Sequence, residues 1–483
     1  MGLVVVGLGP GNGRTLTREV WQQLETAGTV YLRTSRHPAV ADLPESVRQI
    51  SFDAVYDAAE NFEAVYAQIV AELLAAAQTG PVVYAVPGHP FIAESTVTRL
   101  VAAAEAQDIP VTILPGLSFV EPALTAVRAD GLDGLQLFDA LDIVTYHHPP
   151  LNPDVPLLLG QVYSRLIASE LKLTLTAVYP EQHPVSLIHA AGTVDELVET
   201  IPLYEIDRSP HINHLTSLFV PSLPAKSGLT ALAETVAILR SPEGCPWDQE
   251  QTPHSMREGF LEETAEVLAA LDVNDHENLR EELGDLLYHI IMQVQMAAEE
   301  EIFRLSDVVA GIEAKLRFRH PHVWGDWQVS GSDEVLKNWE VLKKEEKGED
   351  GRTQSILHNI PGILPALARA QKIQKKVAKV GFDWPDMAGV WQKLDEEMAE
   401  LQAAVTPQEQ QAELGDILFV LANIAKWLKL DAETALREAN LRFTHRFQIV
   451  ESLVAKRGLA WEEMDLAAMD ALWLEAKNQL SRQ

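Results

Sequence analysis

Cysteine is almost absent: Cys245 is the single one in 483 residues, which excludes an intrachain disulfide and suits a reducing compartment. No apolar run approaches the roughly 20 residues that span a bilayer. The opening MGLVVVGLGP has no basic n-region and reads as a first β-strand rather than a signal peptide. Positive charge is scarce, with 38 Lys and Arg against 70 Asp and Glu, a formal net charge of −32. Nucleic-acid binding rests on neutralising phosphates, so this balance excludes it. A polyanionic substrate must instead meet a locally reversed charge, from metal ions or clustered Lys and Arg. The expectation is a cytoplasmic protein with neither a membrane nor a nucleic-acid partner.

The length suggests several domains. Residues 1–220 alternate short β-branched runs (Leu3–Val6, Val82–Val86, Val111–Leu114, Leu157–Leu159, Leu173–Val178) with helical patterns such as Asn61–Gln78 and Ala93–Ala106. That alternation predicts βαβ units and a largely parallel sheet. Pro221–Gly228 reads as a linker. Beyond it strand signals nearly vanish, and residues 229–483 carry Leu, Ala, Glu, Lys and Gln at helical spacing, which predicts an all-α region.

The helical region repeats itself. FLEETAEVLAAL (Phe260–Leu271) and EELGDLLYHI (Glu281–Ile290) return as LDEEMAELQAA (Leu394–Ala404) and AELGDILFVL (Ala412–Leu421). AKLRFRH (Ala314–His320) returns as ANLRFTH (Ala439–His445), and Trp339 with Lys343 returns as Trp473 with Lys477. The charged segment Lys343–Gly351 reads as a linker between copies. The domains expected are therefore 1–222, a first repeat at 229–345 and a second at 356–483.

Each copy carries EExxE followed by ExxD. The metal-ligand candidates are Glu263, Glu266, Glu282 and Asp285 in the first copy, and Glu397, Glu400, Glu413 and Asp416 in the second. Residues three or four apart share a helix face, so two paired helices converge four carboxylates. Gly284 and Gly415 are expected to permit close backbone approach, and Leu283, Leu286 and Leu287 to bury the opposite face. Like charges so placed need compensation, and hard divalent cations take oxygen ligands. Such cations support in-line displacement at phosphorus. A solvated acidic helix face is the plainer alternative; two motifs in tandem, twice, argue against it.

This region closely resembles the MazG nucleoside triphosphate pyrophosphohydrolases, through GCPWD (Gly244–Asp248), both carboxylate sets, HPHVW (His320–Trp324) and RAQKIQKKVAKVGFDW (Arg369–Trp384). The resemblance implies Mg²⁺, with Mn²⁺ as the alternative ion, hydrolysis of nucleoside triphosphates between the α- and β-phosphates, and a homodimer formed through helical bundles. The copies differ in basic residues. The second has Lys393 and Arg446 where the first has Gly259 and Pro321. Lys393, Arg442, Arg446 and Lys477 are candidates for pairing with triphosphate oxygens, and Trp473 for packing near the base. This marks the second copy as the stronger catalyst, with Glu397, Glu400, Glu413, Asp416 and Lys393 as its catalytic group. Cys245 reads as packing, and His320 with His322 as structural rather than metal-binding.

The N-terminal region holds three loops after strands: GLGPGNG (Gly7–Gly13), VPGHPF (Val86–Phe91) and LPGLSF (Leu114–Phe119). The first fits neither a dinucleotide fingerprint nor a phosphate-binding Walker loop. Loops at strand ends of an open α/β sheet form a ligand crevice. Together with QVYSRLIASELKLTL (Gln161–Leu175) and HLTSLFVP (His214–Pro221), these loops resemble the tetrapyrrole methylases over about residues 1–222. That resemblance implies two α/β lobes binding S-adenosylmethionine, with Leu8, Gly9, Pro10, Gly88, His89, Ser118 and Phe119 at the cofactor. Many members have Gly-Asp-Pro in the second loop, whereas this chain has Gly88-His89-Pro90, which leaves methyl transfer and a porphyrin substrate open. The alternatives are a bifunctional enzyme and an N-terminal module that senses S-adenosylmethionine or a nucleotide.

Overall fold

The structure, a computed structural model, describes residues 2–58, 61–346, 355–358 and 360–480. Residues Met1–Thr252 with Ile291–Met296 form one compact unit, and Pro253–Ile290 with Ala297–Gln483 form another. Among the described residues no helix is long and apolar enough to cross a membrane.

The first unit holds two five-stranded sheets. One orders β1 (Leu3–Gly7), β2 (Thr29–Leu32), β3 (Arg48–Ser51), β4 (Val82–Val86) and β5 (Val111–Leu114) as β3-β2-β4-β1-β5, all parallel. All five residues of β4 are buried, as a central parallel strand covered on both faces requires. Helices α1 (Phe62–Thr79, capped by Asn61) and α2 (Ser95–Glu105) pack Ile69, Leu73 and Leu100 against this sheet's core.

The second sheet corrects the expectation of one largely parallel sheet. It orders β6 (Gln136–Asp139), β7 (Leu157–Gly160), β8 (Pro184–His189), β9 (Leu197–Pro202) and β10 (Thr216–Val220) as β6-β7-β10-β8-β9. Only β6 and β7 run parallel; the other neighbours are antiparallel. Helix α3 (Val120–Val127) follows the third loop. Leu173–Val178 is not a strand either. Ser164 caps helix α4 (Arg165–Leu175), which buries Ile167, Ala168, Leu171 and Leu175 at helical spacing. That period overrides the local β-branched residues. The Pro221–Gly228 segment has no regular structure but is fastened: the Ser227 and Gly228 amides donate to the Asp154 carboxylate at 2.8 and 3.0 Å.

The second unit is helical throughout its described residues. In the first copy run α5 (Arg257–Val273), α6 (His276–Glu299, whose Ile291–Met296 belong to the first unit), α7 (Leu305–Arg319) and α8 (Ser332–Glu346). In the second run α9 (Ala366–Ala378), α10 (Met387–Ala403), α11 (Pro407–Trp427), α12 (Ala432–Arg457) and α13 (Leu466–Leu480). The inter-copy linker expected at Lys343–Gly351 begins later, since Lys343–Glu346 complete α8; residues 347–351 lie outside the described residues. Arg437 of α12 pairs with Asp272 of α5, joining the copies. In α9, the buried Gln371 and Gln374 donate to the carbonyls of Leu430 and Phe419, which gives the RAQKIQKK motif a packing role.

Candidate functional site

In the second copy α10 and α11 fold back on each other and bring Glu397, Glu413 and Asp416 together, each offering an oxygen within 4.8 Å of the others. The first copy does the same with Glu263, Glu266 and Glu282. The fourth member of each set, Glu400 or Asp285, lies outside the tight group but acts on it electrostatically. Glu397 is buried. Burial, then repulsion from Glu400, Glu397 and Asp416, raises the Glu413 carboxyl above its ordinary value. Glu263 is raised by burial, then by Asp285 and Glu266, and Glu282 by burial, then by Glu266 and Glu263. Three hard oxygen donors in mutual repulsion fit Mg²⁺ or Mn²⁺.

Two expectations about the surrounding residues fail. A Cβ at Gly284 or Gly415 would meet nothing within 4 Å, so neither glycine marks a close approach. Nor do the flanking leucines together bury the opposite face: Leu286 is half-buried, but Leu283 and Leu287 are exposed, as are Leu414 and Leu418 in the second copy.

Lys393 is committed to carboxylates rather than held free for a phosphate. Its Nζ stands 2.7 Å from Glu397 and 2.8 Å from Glu396, and these hydrogen bonds raise its pKa. The other basic candidates gather elsewhere. Arg442, Arg446 and Lys477, with His445 and Leu480, line a cavity of about 330 Å³. The Arg446 guanidinium lies 5.8 Å from the centroid of the half-buried Trp473, which also packs on Phe443 at 5.0 Å. At the equivalent place in the first copy Glu346 stands where the second has Leu480. It pairs with Arg319 at 2.6 Å, and Arg319 lies 4.9 Å over Trp339. Arg317 is likewise paired, with Glu313. Arg442, the equivalent of Arg317, is paired in the same way with Glu438 at 3.5 Å, so the copies differ here in Glu346 standing against Leu480 and not in the pairing of that arginine.

The HPHVW residues form a short helix, Pro321–Trp324, and His320 Nδ1 donates to the Leu316 carbonyl at 2.6 Å, as a structural role requires. In GCPWD, a Cβ at Gly244 would stand 2.2 Å from the Ile238 carbonyl oxygen, so the turn admits only glycine.

In the first unit the three loops meet backbone to backbone. A Cβ at Gly7 would lie 2.5 Å from both Gly116 N and the Gly88 oxygen; one at Gly116 would lie 2.5 Å from the Gly7 oxygen. Gly88 donates to the Gly9 carbonyl at 2.9 Å, and both residues have positive φ. Leu8 and Gly9 are buried and Pro10 is half-buried. Ser118 is occupied: its hydroxyl and amide both donate to Glu121. The His89 Nδ1 accepts from the Phe91 amide. Phe119 packs where a Cβ on Gly160 of the second sheet would stand 2.8 Å away, so the third loop also borders the second lobe. Beyond Gly88 itself nothing lies within 4 Å of a Cβ, which leaves room for a ligand.

Sequence reading missed the ion pair beside this crevice. Arg33, after β2, holds the buried Glu94 at 2.6 Å, and Glu94 also accepts from Thr96. Burial raises the Glu94 carboxyl against the opposing pull of Arg33. Separation of 61 positions leaves no local signal. Arg33→Met is expected to destabilise the unit by about 3–5 kcal/mol, because Glu94 is left buried and unpaired. Denaturant unfolding of the full chain checks this; an unchanged first-unit transition would show the pair to be dispensable.

Residues 2–207 match the family model of tetrapyrrole (corrin/porphyrin) methylases, and residues 251–324 match that of the MazG nucleotide pyrophosphohydrolase domain. The Bacillus subtilis (strain 168) protein YabN, itself uncharacterized, is 39% identical over 489 residues, covering 98% of each chain. A nucleoside triphosphate pyrophosphohydrolase of Escherichia coli (strain K12) is 47% identical over 247 residues, covering 50% of this chain and 94% of its own length. The Thermotoga maritima nucleoside triphosphate pyrophosphohydrolase/pyrophosphatase MazG is 40% identical over 239 residues, covering 50% of this chain and 91% of its own. The chain belongs to the MazG nucleotide pyrophosphohydrolase family, in the form that carries a tetrapyrrole methylase-like domain ahead of its helical region.

Proposed function

We propose that the helical region hydrolyses nucleoside triphosphates to the monophosphate and pyrophosphate, at the second copy, with Mg²⁺ or Mn²⁺. The observation that carries this is the Glu397, Glu413 and Asp416 cluster. Water attacks the α-phosphorus, the bond to the bridging oxygen breaks, and pyrophosphate leaves. Glu397, Glu413 and Asp416 hold the cation, with Glu400 adding negative charge beside them. Lys393 fixes the Glu397 carboxylate. Arg442, Arg446 and Lys477 bind triphosphate oxygens, and Trp473 packs near the base. When bound, a divalent cation lowers the pKa of water and offsets charge on the phosphoryl oxygens. Pyrophosphate release across a panel of ribo- and deoxyribonucleoside triphosphates tests the reading. Activity with Mg²⁺ and none with EDTA is expected; release of orthophosphate and diphosphate would overturn it.

The raised Glu413 and Glu282 carboxyls add a pH dependence. A raised carboxyl keeps its proton at higher pH than a free glutamate, and a cation must displace that proton. Mn²⁺ affinity is therefore expected to fall on acidification already above the ordinary glutamate range, by about tenfold per pH unit for each proton displaced. Calorimetry between pH 7.5 and 5 measures it; a flat affinity would refute the coupling.

For the first unit we propose that the three-loop crevice binds S-adenosylmethionine, the fit resting on the open space at Gly88 and the backbone cradle around Gly9. The cofactor supplies a transferable methyl group; the chain's part is to hold and orient it. A sensing role uses the same crevice, and a methyl-transfer assay separates the two. Domain boundaries at 1–222, 229–345 and 356–483 are proposed for limited proteolysis to test. The exposed Leu283, Leu287, Leu414 and Leu418 support a homodimer through the helical region, and the single cysteine suits the cytoplasm. Light scattering at micromolar concentration checks that state, and a monomer would refute it.

A further inference from the structure

The two carboxylate clusters give the equivalent glutamates Glu397 and Glu263 different neighbours. In the second copy the cation beside the buried Glu397 comes from the same helix, as Lys393 four positions earlier. The position equivalent to Lys393 in the first copy is Gly259, which carries no side chain. An imidazole nevertheless reaches the equivalent Glu263, from the partner helix: His289 Nε2 stands 3.9 Å from Glu263 Oε1. The second copy has Val420 at that place, packed into an apolar cluster with Val390 and Ile424.

The exchange is sterically reciprocal. A Cβ at Gly259 would lie 2.8 Å from His289 Cε1 and 3.1 Å from Nε2, so the glycine is the space the imidazole occupies. Phe260 and Tyr288 hold the ring edge-on, at centroid distances of 6.0 and 5.5 Å. His289 is only 7% exposed, and its Nδ1 has no hydrogen-bond partner among the described residues. An apolar residue would fill this core site without that cost, so the imidazole is retained for what it faces.

We propose that His289 is the positioning residue for Glu263, doing across the helix pair what Lys393 does along its own helix, and that Gly259 is its obligate partner. The first cluster thereby remains organised to hold a divalent cation, although Glu346 stands in the neighbouring basic pocket. The inference rests on the cation-holding reading of the clusters, and goes beyond it in naming the group that orients the ligand.

The test uses the full chain with Glu397→Ala and Asp416→Ala, so that only the first cluster binds Mn²⁺, read by electron paramagnetic resonance. In that background His289→Val is expected to weaken Mn²⁺ binding about tenfold or more, the usual effect of losing a residue that orients a ligand. Gly259→Lys with His289→Val rebuilds the second copy's arrangement and is expected to recover most of the loss; Gly259→Lys alone collides with the ring and is not. Unchanged binding in His289→Val, or a double variant no better than the single, overturns the proposal. Should circular dichroism show His289→Val misfolded, His289→Gln keeps a donor in place and is expected to retain Mn²⁺; binding as weak as in the valine variant overturns it equally. A background chain that binds no Mn²⁺, and is unaffected by Glu263→Gln, overturns the cation-holding reading itself, and this inference with it.

Discussion

Asp416→Ala, and equally Glu397→Ala, is expected to lower kcat for pyrophosphate release by at least about 10²–10³-fold, while Glu263→Ala and Asp285→Ala cost much less. Losing one preorganised electrostatic donor costs about that factor in other hydrolases, and a cation ligand should cost no less. Both copies keep their acids, so the asymmetry must come from the basic residues. The first copy's absent Lys393 is no argument by itself, because His289 faces Glu263 in its place. The pocket decides. In the second copy Arg442, Arg446 and Lys477 line an open cavity with apolar Leu480 beside them. In the first, Glu346 takes the place of Leu480 and neutralises Arg319, and Pro321 replaces Arg446. A triphosphate approaching that pocket meets a carboxylate. Steady-state kcat for the four variants, with circular dichroism as the folding control, settles the matter; equal losses, or a larger loss from the first copy, would refute the assignment.

Gly116→Ala is expected to abolish detectable S-adenosylmethionine binding and to destabilise the first unit by about 1–3 kcal/mol or more, the range for overpacking a filled site. The added Cβ would stand 2.5 Å from the Gly7 oxygen and 2.6 Å from the Gly88 oxygen. Both obstacles are backbone, so no rotamer change relieves them, and the loops must separate. Gly80→Ala is the control: its φ of −178° is extended backbone open to any residue, and its Cβ meets nothing within 4 Å. Calorimetry with S-adenosylmethionine and S-adenosylhomocysteine, with thermal unfolding, reads both effects. Normal binding by Gly116→Ala would show that loop contact does not shape the crevice. Absence of binding by the parent chain would refute the cofactor reading altogether.

What a residue's neighbours three or four positions away dictate is legible in the amino-acid order alone. The two carboxylate sets, the repeat and the all-α character of the second unit follow from that spacing, because a helix places such residues on one face whatever surrounds it. The N-terminal alternation is equally local, and the glycine loops stand where strands end. Leu173–Val178 shows the limit: its β-branched residues suggest a strand, but the cap at Ser164 and the apolar period that follows it commit the segment through Leu175 to a helix. Only the tertiary structure decides which distant groups face each other. Strand pairing makes the second sheet largely antiparallel, and packing sets Arg33 against Glu94 across 61 positions. It also leaves Gly284 and Gly415 in open space, whereas Gly7 and Gly116 press against each other and against the Gly88 carbonyl. The replacement of Lys393 by His289 belongs to the same class. Aligning the copies shows a missing lysine, and only the fold shows the imidazole standing in the room a glycine leaves. Side chains meet through space over a few ångströms, and the chain can deliver a carboxylate's neighbour from any helix that comes that close.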